Sequence, residues 1–161
     1  MRTAVVYYSL SGNTHLVARQ IEDELPADLV RITPTKEYPN RGARKFLWGG
    51  AGVIMGSTPQ LEPYEFDAAA YDRIIVGTPL WAGSFAPPIR TFANEQREAL
   101  ANKRIAAFVC SSSGNADKCF GKIAELFGTD QLEAQLSLVD PKQTRRREDD
   151  LAIQAFCSQL G

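Results

Sequence analysis

Short apolar segments alternate with segments of helical periodicity along the chain. Five segments are rich in β-branched, aromatic or other apolar residues, which is typical of strands. These segments are Thr3 to Tyr8, Leu29 to Ile32, Arg73 to Gly77, Ile105 to Cys110, and the alternating pair Leu136 and Leu138. The third and fourth are almost wholly apolar, so we expect strands that are covered on both faces, as in a parallel sheet.

Between these strands, apolar residues recur three and four positions apart, which places their side chains on one face of a helix. The predicted inner faces are Val17, Ile21 and Leu25; Ile89, Phe92, Ala93 and Leu100; Phe120, Ile123, Ala124 and Phe127; and Ala152, Phe156 and Leu160. Pro87-Pro88 is placed to open the second helix, because a proline in the first turn loses no hydrogen bond. Gly128 is placed to end the third helix in the left-handed region.

The segment from Lys36 to Phe66 departs from this regular alternation. Arg44 to Met55 is a candidate helix, but it contains several glycines, each of which weakens a helix by about 1 kcal/mol relative to alanine. We expect an irregular segment there, beside the edge of the sheet.

Strands that alternate with helices predict an α/β fold with a doubly wound, five-stranded parallel sheet in three α/β/α layers. The length of 161 residues is about that of one domain, so we expect a single domain over residues 1–161.

Composition narrows the class of protein. Eighteen basic and nineteen acidic side chains give a net charge of −1, which argues against a nucleic-acid partner. The run from Ala4 to Tyr8 is far too short for a signal-peptide core or a membrane span. Cys110, Cys119 and Cys157 lie far apart, which argues against a disulfide framework or a zinc site. We therefore expect a cytoplasmic protein that has no membrane partner and no metal.

The turn between the first strand and its helix is a candidate anion site. It reads Ser9-Leu10-Ser11-Gly12-Asn13-Thr14 and supplies backbone N–H groups and hydroxyls at a helix start. Gly12 permits close approach, and the loop itself contains no lysine or arginine, which favours a terminal monophosphate. An ordinary capped turn is the alternative, since Ser, Asn and Thr are common caps.

The residues around this turn resemble the signature loop of the flavodoxins. The resemblance rests on Val5-Val6-Tyr7-Tyr8-Ser9-Leu10-Ser11-Gly12-Asn13-Thr14 followed by Ala18, whereas Arg19 departs from the usual aliphatic residue. It implies a sheet in the flavodoxin-like order 2-1-3-4-5 and FMN as the cofactor. It also implies that the phosphate of FMN occupies the turn from Ser9 to Thr14.

The same resemblance points to two further loops that hold the flavin ring. The second loop contains Thr78, Pro79, Leu80, Trp81, Ala82 and Gly83, and the third contains Ser111, Ser112, Ser113 and Gly114. Trp81 could instead pack as core, and the third loop could be a helix cap provided by Asn115 or Asp117. In the expected strand order the three loops meet at the switch point, where α/β proteins bind ligands.

Hydrolytic chemistry finds little support in the sequence. His15 is the only histidine, and there is no G-x-S-x-G elbow for a nucleophilic serine. Cys110 lacks a nearby arginine to clamp a phosphate and is best interpreted as a small buried apolar residue. We therefore assign no catalytic residue.

Three functions remain open. The first is an FMN-binding electron carrier that exchanges electrons with a redox partner protein or a small-molecule acceptor. The second is an NAD(P)H-dependent FMN or quinone reductase, which the near-neutral charge keeps open because the family's carriers are typically acidic. The third is a flavin-free, receiver-like binding module.

Overall fold

The observed elements follow the alternation that the hydrophobic pattern predicts. The computed structural model describes residues 1–40 and 56–161, so the candidate helix at Arg44 to Met55 lies outside the described residues. The strands are β1 (Thr3–Tyr7), β2 (Ala27–Arg31), β3 (Arg73–Trp81), β4 (Ser84–Phe85), β5 (Arg104–Ser111) and β6 (Gln135–Val139). The α-helices are α1 (Asn13–Glu24), α2 (Pro87–Glu95), α3 (Asp117–Leu126) and α4 (Arg147–Leu160).

Five strands form a parallel sheet in the order β2-β1-β3-β5-β6, and the two-residue strand β4 pairs antiparallel with β3. Numbered among the parallel strands alone, this order is 2-1-3-4-5, so the predicted fold class is confirmed. The carboxyl ends of β1, β3 and β5 therefore lie side by side at one edge.

Two apolar cores cover the sheet, one on each face, because successive side chains of a strand point in opposite directions. On one face Val6 and Val76 pack with Phe92 of α2. On the other face Phe108 packs with helices α1 and α4. None of the helices within residues 1–40 and 56–161 has the length and apolarity that a bilayer crossing requires.

The two largest differences from the predicted boundaries are in β3 and α2. Strand β3 continues past Gly77 to Trp81, because its end pairs with β4 instead of turning away as a loop. Helix α2 ends at Glu95, so Leu100 lies beyond it, although its side chain is buried in the core as expected of an inner-face residue.

The end of α3 shows why Gly128 follows it. Gly128 has a φ of 67°, its N–H donates to the carbonyl of Glu125 (3.1 Å), and the N–H of Thr129 donates to that of Ala124 (3.0 Å). This pair of bonds is the Schellman motif, which satisfies the last carbonyls of the helix. The predicted stop at Gly128 is confirmed.

The three central strands pack tightly at Gly77. A Cβ atom there would lie 2.2 Å from Cζ of Phe108 and 2.8 Å from Cβ of Tyr7. Both neighbours are buried, so neither can swing aside without opening the core.

Gly77→Ala should lower the free energy of unfolding by roughly 1–3 kcal/mol, as overpacking of a core does. Gly121→Ala is the control, because nothing lies within 4 Å of a Cβ at this exposed position in α3. It should stabilise the protein by about 0.5–1 kcal/mol through helix propensity. Urea unfolding measures both, and equal effects of the two variants would contradict the packing argument.

An ion pair anchors the opposite edge of the sheet. The buried side chain of Arg73 donates from Nε to Glu133 Oε2 (2.7 Å) and from Nη2 to Oε1 (2.8 Å). The hydrogen bond from Arg73 is the main cause that lowers the pKa of Glu133, with Arg104 adding to it. Removal of Glu133 would leave a buried guanidinium without this partner.

Glu133→Gln should cost about 1.5 kcal/mol at neutral pH, the low end for bonds to charged groups because the carboxylate is partly solvated. The folded-state pKa lies below the unfolded one, so the ion pair stabilises at neutral pH and loses this contribution as the pH falls through the folded-state value. The difference from wild type should therefore shrink in acid. Urea unfolding of wild type and Glu133→Gln, from neutral pH down through the folded-state pKa of Glu133, tests this prediction. Glu98→Gln, at an exposed position, is the control. A difference in stability that stays constant with pH would contradict the ion-pair account.

Candidate functional site

The carboxyl ends of β1, β3 and β5 enclose a cavity of about 400 Å³. Its lining includes residues from each of the three predicted loops. These are Leu10, Ser11 and Asn13 from the first, Pro79, Leu80, Trp81 and Ala82 from the second, and Ser111 and Ser112 from the third. The structure thus brings the three loops together at the switch point of the sheet.

The other predicted residues belong to the same three loops but are not among those that line the cavity. They are Ser9, Gly12, Thr14, Thr78, Gly83, Ser113 and Gly114. Two residues that were not predicted for the site, Cys110 and Asp140, do line the cavity. The interpretation of Cys110 as buried is confirmed: it is 3% exposed, and burial raises the pKa of its thiol to about 12.

The first loop presents the start of α1 to the cavity. Gly12 is the N-cap, with a φ of 101°, a conformation that favours glycine. The buried hydroxyl of Ser9 accepts the N–H of His15 (3.2 Å), and the first turn of α1 carries no acidic residue. The positive potential of this helix start is therefore not offset within its own first turn.

Two basic side chains reach this loop from elsewhere in the chain. Lys142 Nζ donates to the carbonyl of Ser11 (3.1 Å), and Arg31 Nη2 donates to the carbonyl of Ser9 (3.2 Å). The loop itself contains no lysine or arginine, but the fold adds two cations that bond to its carbonyls. Lys142 lies 131 positions from Ser11, so no local pattern could reveal the contact.

The second loop is a β-hairpin. Trp81 pairs with Ser84, and the intervening Ala82 and Gly83 both have positive φ values, 48° and 73°. A two-residue turn with this property is a type I′ turn, which matches the twist of the strands it joins. Thr78 stabilises the hairpin through two hydrogen bonds. Its Oγ1 accepts the N–H of Ala86 (2.9 Å) and donates to the carbonyl of Pro79 (2.9 Å).

Trp81 both packs and lines the cavity. Its half-buried ring stands edge-on to Tyr38, with centroids 5.1 Å apart, and to Tyr8, at 5.7 Å. Tyr8 donates to Glu37 Oε1 (2.7 Å), and burial together with this bond raises its pKa, so the phenol stays protonated. The indole is thereby held by neighbouring aromatic rings and still contributes an aromatic wall.

The third loop contains an unpartnered buried hydroxyl. Ser111 is 5% exposed, and its Oγ has no hydrogen-bond partner within the described residues. Asn115 Oδ1 accepts the N–H of Asp117 (2.7 Å), so the far end of this loop does serve α3, although the N-cap position itself is Ala116. A buried hydroxyl without a partner indicates a place where a ligand completes the hydrogen bonding.

The ring of His15 bonds to a tyrosine. Its Nδ1 lies 2.6 Å from the hydroxyl of Tyr7, which is buried and whose pKa is raised chiefly by burial. Within residues 1–40 and 56–161, no group of three or more His, Cys, Asp and Glu side chains is placed to hold a metal ion.

The doubly wound sheet and the cavity at its switch point define an α/β protein of flavodoxin topology. A family model described as a flavodoxin domain matches residues 51–119, a segment that contains the second and third loops but not the first. The fold is flavodoxin-like, as the resemblance of the first loop implies. Compared with curated proteins, its sequence matches none.

Solved structures share this fold. The flavoprotein of Lactobacillus acidophilus NCFM, in complex with FMN, has a TM-score of 0.71 at 23% identity, over 88% of this chain and 95% of that one. A protein of Bacteroides uniformis, proposed to be a flavoprotein, has a TM-score of 0.76 at 21% identity, over 98% and 97%. Two-electron reduced flavodoxin of Megasphaera elsdenii has a TM-score of 0.59 at 15% identity, over 97% and 98%.

Ser111→Ala should leave the free energy of unfolding of the ligand-free protein unchanged or raise it, because it removes a buried hydroxyl that bonds to nothing. Thr78→Val is the contrasting variant. It should lower that free energy by about 1–3 kcal/mol, because the N–H of Ala86 loses its acceptor. Urea unfolding compares them, and an equal loss in both would show that the Ser111 hydroxyl has a structural role.

Proposed function

We propose that this protein binds FMN at the three loops and serves in electron transfer. The observation that carries the proposal is the buried, unpartnered hydroxyl of Ser111 in the wall of a cavity that also borders a helix start. The Lactobacillus acidophilus flavoprotein, which shares the fold, was solved in complex with FMN. The volume of about 400 Å³ is in the range of small-molecule sites.

The first loop suits the phosphate. The first N–H groups of a helix have no hydrogen-bond partner within the helix. In α1, the N–H of His15 donates to the hydroxyl of Ser9. The N–H groups of Asn13 and Thr14 are then available to bind a phosphate ester. The helix dipole favours the negative charge of the phosphate.

The second and third loops suit a flat aromatic ring. Trp81, Leu80 and Pro79 supply an apolar and aromatic wall, and Ser111 and Ser112 supply polar groups at the opposite loop. FMN, when bound, supplies one- or two-electron chemistry, and the protein supplies its placement. Among the described lining residues only Cys110 and Asp140 have acidic side chains, and burial raises the pKa of the Cys110 thiol to about 12, which disfavours its reactive thiolate.

This separation of roles, with FMN supplying the redox chemistry and the protein supplying its placement, supports a role as an electron carrier. A cavity with few titratable groups holds the cofactor and leaves the chemistry to it, while electrons pass to a redox partner protein or a small-molecule acceptor. A reductase needs in addition a place for NAD(P)H over the flavin, and it becomes the preferred function if the holoprotein oxidises that donor by itself.

The visible spectrum after incubation with FMN and gel filtration is the first test. The wild type should retain the yellow chromophore. Ser111→Ala should retain less, because its loop loses a hydrogen bond to the ring, while its ligand-free stability is kept. A colourless wild type would contradict FMN binding and favour the receiver-like alternative.

The holoprotein then decides between carrier and reductase. As a carrier, it should pass electrons from chemically reduced FMN to an added acceptor such as cytochrome c and should show no sustained oxidation of NADPH or NADH with a quinone. Sustained turnover of either nucleotide would overturn the carrier role and select the reductase.

A further inference from the structure

Lys142 spans the first loop. Its main-chain N–H donates to Asn13 Oδ1 (2.9 Å), and its ammonium donates to the carbonyl of Ser11 (3.1 Å). A Cβ atom on Gly12 would lie 3.0 Å from Nζ, so the side chain crosses directly over that glycine. One exposed lysine thus contacts three consecutive residues of the loop.

Carboxylates near the cavity disfavour the binding of an anion, so the ammonium of Lys142 matters for such a ligand. Asp140 lines the cavity, and Asp149, whose Oδ2 is buried and has no hydrogen-bond partner in the described residues, helps to raise the pKa of Cys110. The nearest ion-pair contact of that oxygen is Arg146 Nη1, at 4.0 Å. A negatively charged ligand in the cavity would therefore meet the carboxylate of Asp140, and Lys142 supplies an opposite charge at the first loop.

We propose that the ammonium of Lys142 recognises the charge of the phosphate ester and so makes this site select phosphorylated flavin over unphosphorylated flavin. The proposal rests on the proposed FMN function and adds a specificity-determining residue to it. The unpartnered hydroxyl of Ser111, in the wall of the same cavity, independently indicates a ligand there.

A purely structural role for Lys142 makes different predictions. The bond from its main-chain N–H to Asn13 does not involve the side chain, so Met or Arg at position 142 keeps the loop tied to the segment after β6. If the ammonium only braced the loop, its removal would weaken every flavin alike. If it acts through charge, its removal weakens only ligands that carry a phosphate.

The test compares Lys142→Met and Lys142→Arg with wild type, and uses Lys122→Met as control, since Lys122 lines a separate groove between α2 and α3. The dissociation constants of FMN and riboflavin are measured from flavin fluorescence at low and high salt, and inorganic phosphate is added as a competitor. Thermal melts of the ligand-free variants verify folding.

Lys142→Met should weaken FMN by about tenfold or more, the effect of one lost charge-assisted contact, and should leave riboflavin unchanged. Lys142→Met should also reduce the salt dependence of FMN binding and the competition by inorganic phosphate. Lys142→Arg should keep most of the wild-type affinity for FMN. Lys122→Met should match wild type.

Equal weakening of FMN and riboflavin would overturn the proposal and show a bracing role. Unchanged FMN binding in Lys142→Met, with wild-type FMN binding intact, would overturn it while the proposed function stands. A wild type that binds neither flavin would overturn both.

Discussion

The parallel pairing of β1 with β3 and of β3 with β5 is the constraint on which the site depends. Tyr7 pairs with Gly77, and Gly77 pairs with Phe108, so these three residues stand side by side in the three strands. Because Gly77 has no side chain, Phe108 can fill the space beside it, and the strand ends stay level. The loops that follow therefore meet at one cavity, and the positions of their polar groups derive from this register.

Electrostatics gives the cavity its polarity. The start of α1 contributes partial positive charge without an acidic residue in its first turn, and Lys142 and Arg31 bond to the carbonyls of the same loop. Asp140 lines the cavity with the opposite sign. The site is therefore positive at the first loop, while Trp81 supplies its aromatic wall, which is the polarity that a phosphorylated aromatic ligand requires.

Much of the fold could be predicted because it depends on local patterns. Apolar runs located the parallel strands, helical spacing located the described helices, and Gly128 marked a helix end through its own backbone conformation. The hairpin after β3 was missed because Ala82 is a non-glycine residue with positive φ, which a turn pattern does not suggest. Leu100 was assigned to α2 because burial, not helical structure, sets the apolar pattern.

The candidate site could be predicted only in part. Its loops follow strands and carry recognisable residue types, so Ser11, Trp81 and Ser111 could be named in advance. Asp140 and Lys142 were missed, because they follow the last strand, carry no recognisable motif and reach the site through contacts between distant parts of the chain. A general rule, that the residues after every parallel strand face the same edge, would have pointed to them.

Backbone amide shifts in a nuclear magnetic resonance titration test the central claim most directly, since the claim is that the first loop holds a phosphate ester. Addition of FMN should shift the amide signals of residues 11–14 together with those of residues 82–83 and 111–112. Riboflavin should shift the second and third sets alone. Binding of FMN that leaves the signals of residues 11–14 unmoved would contradict the account.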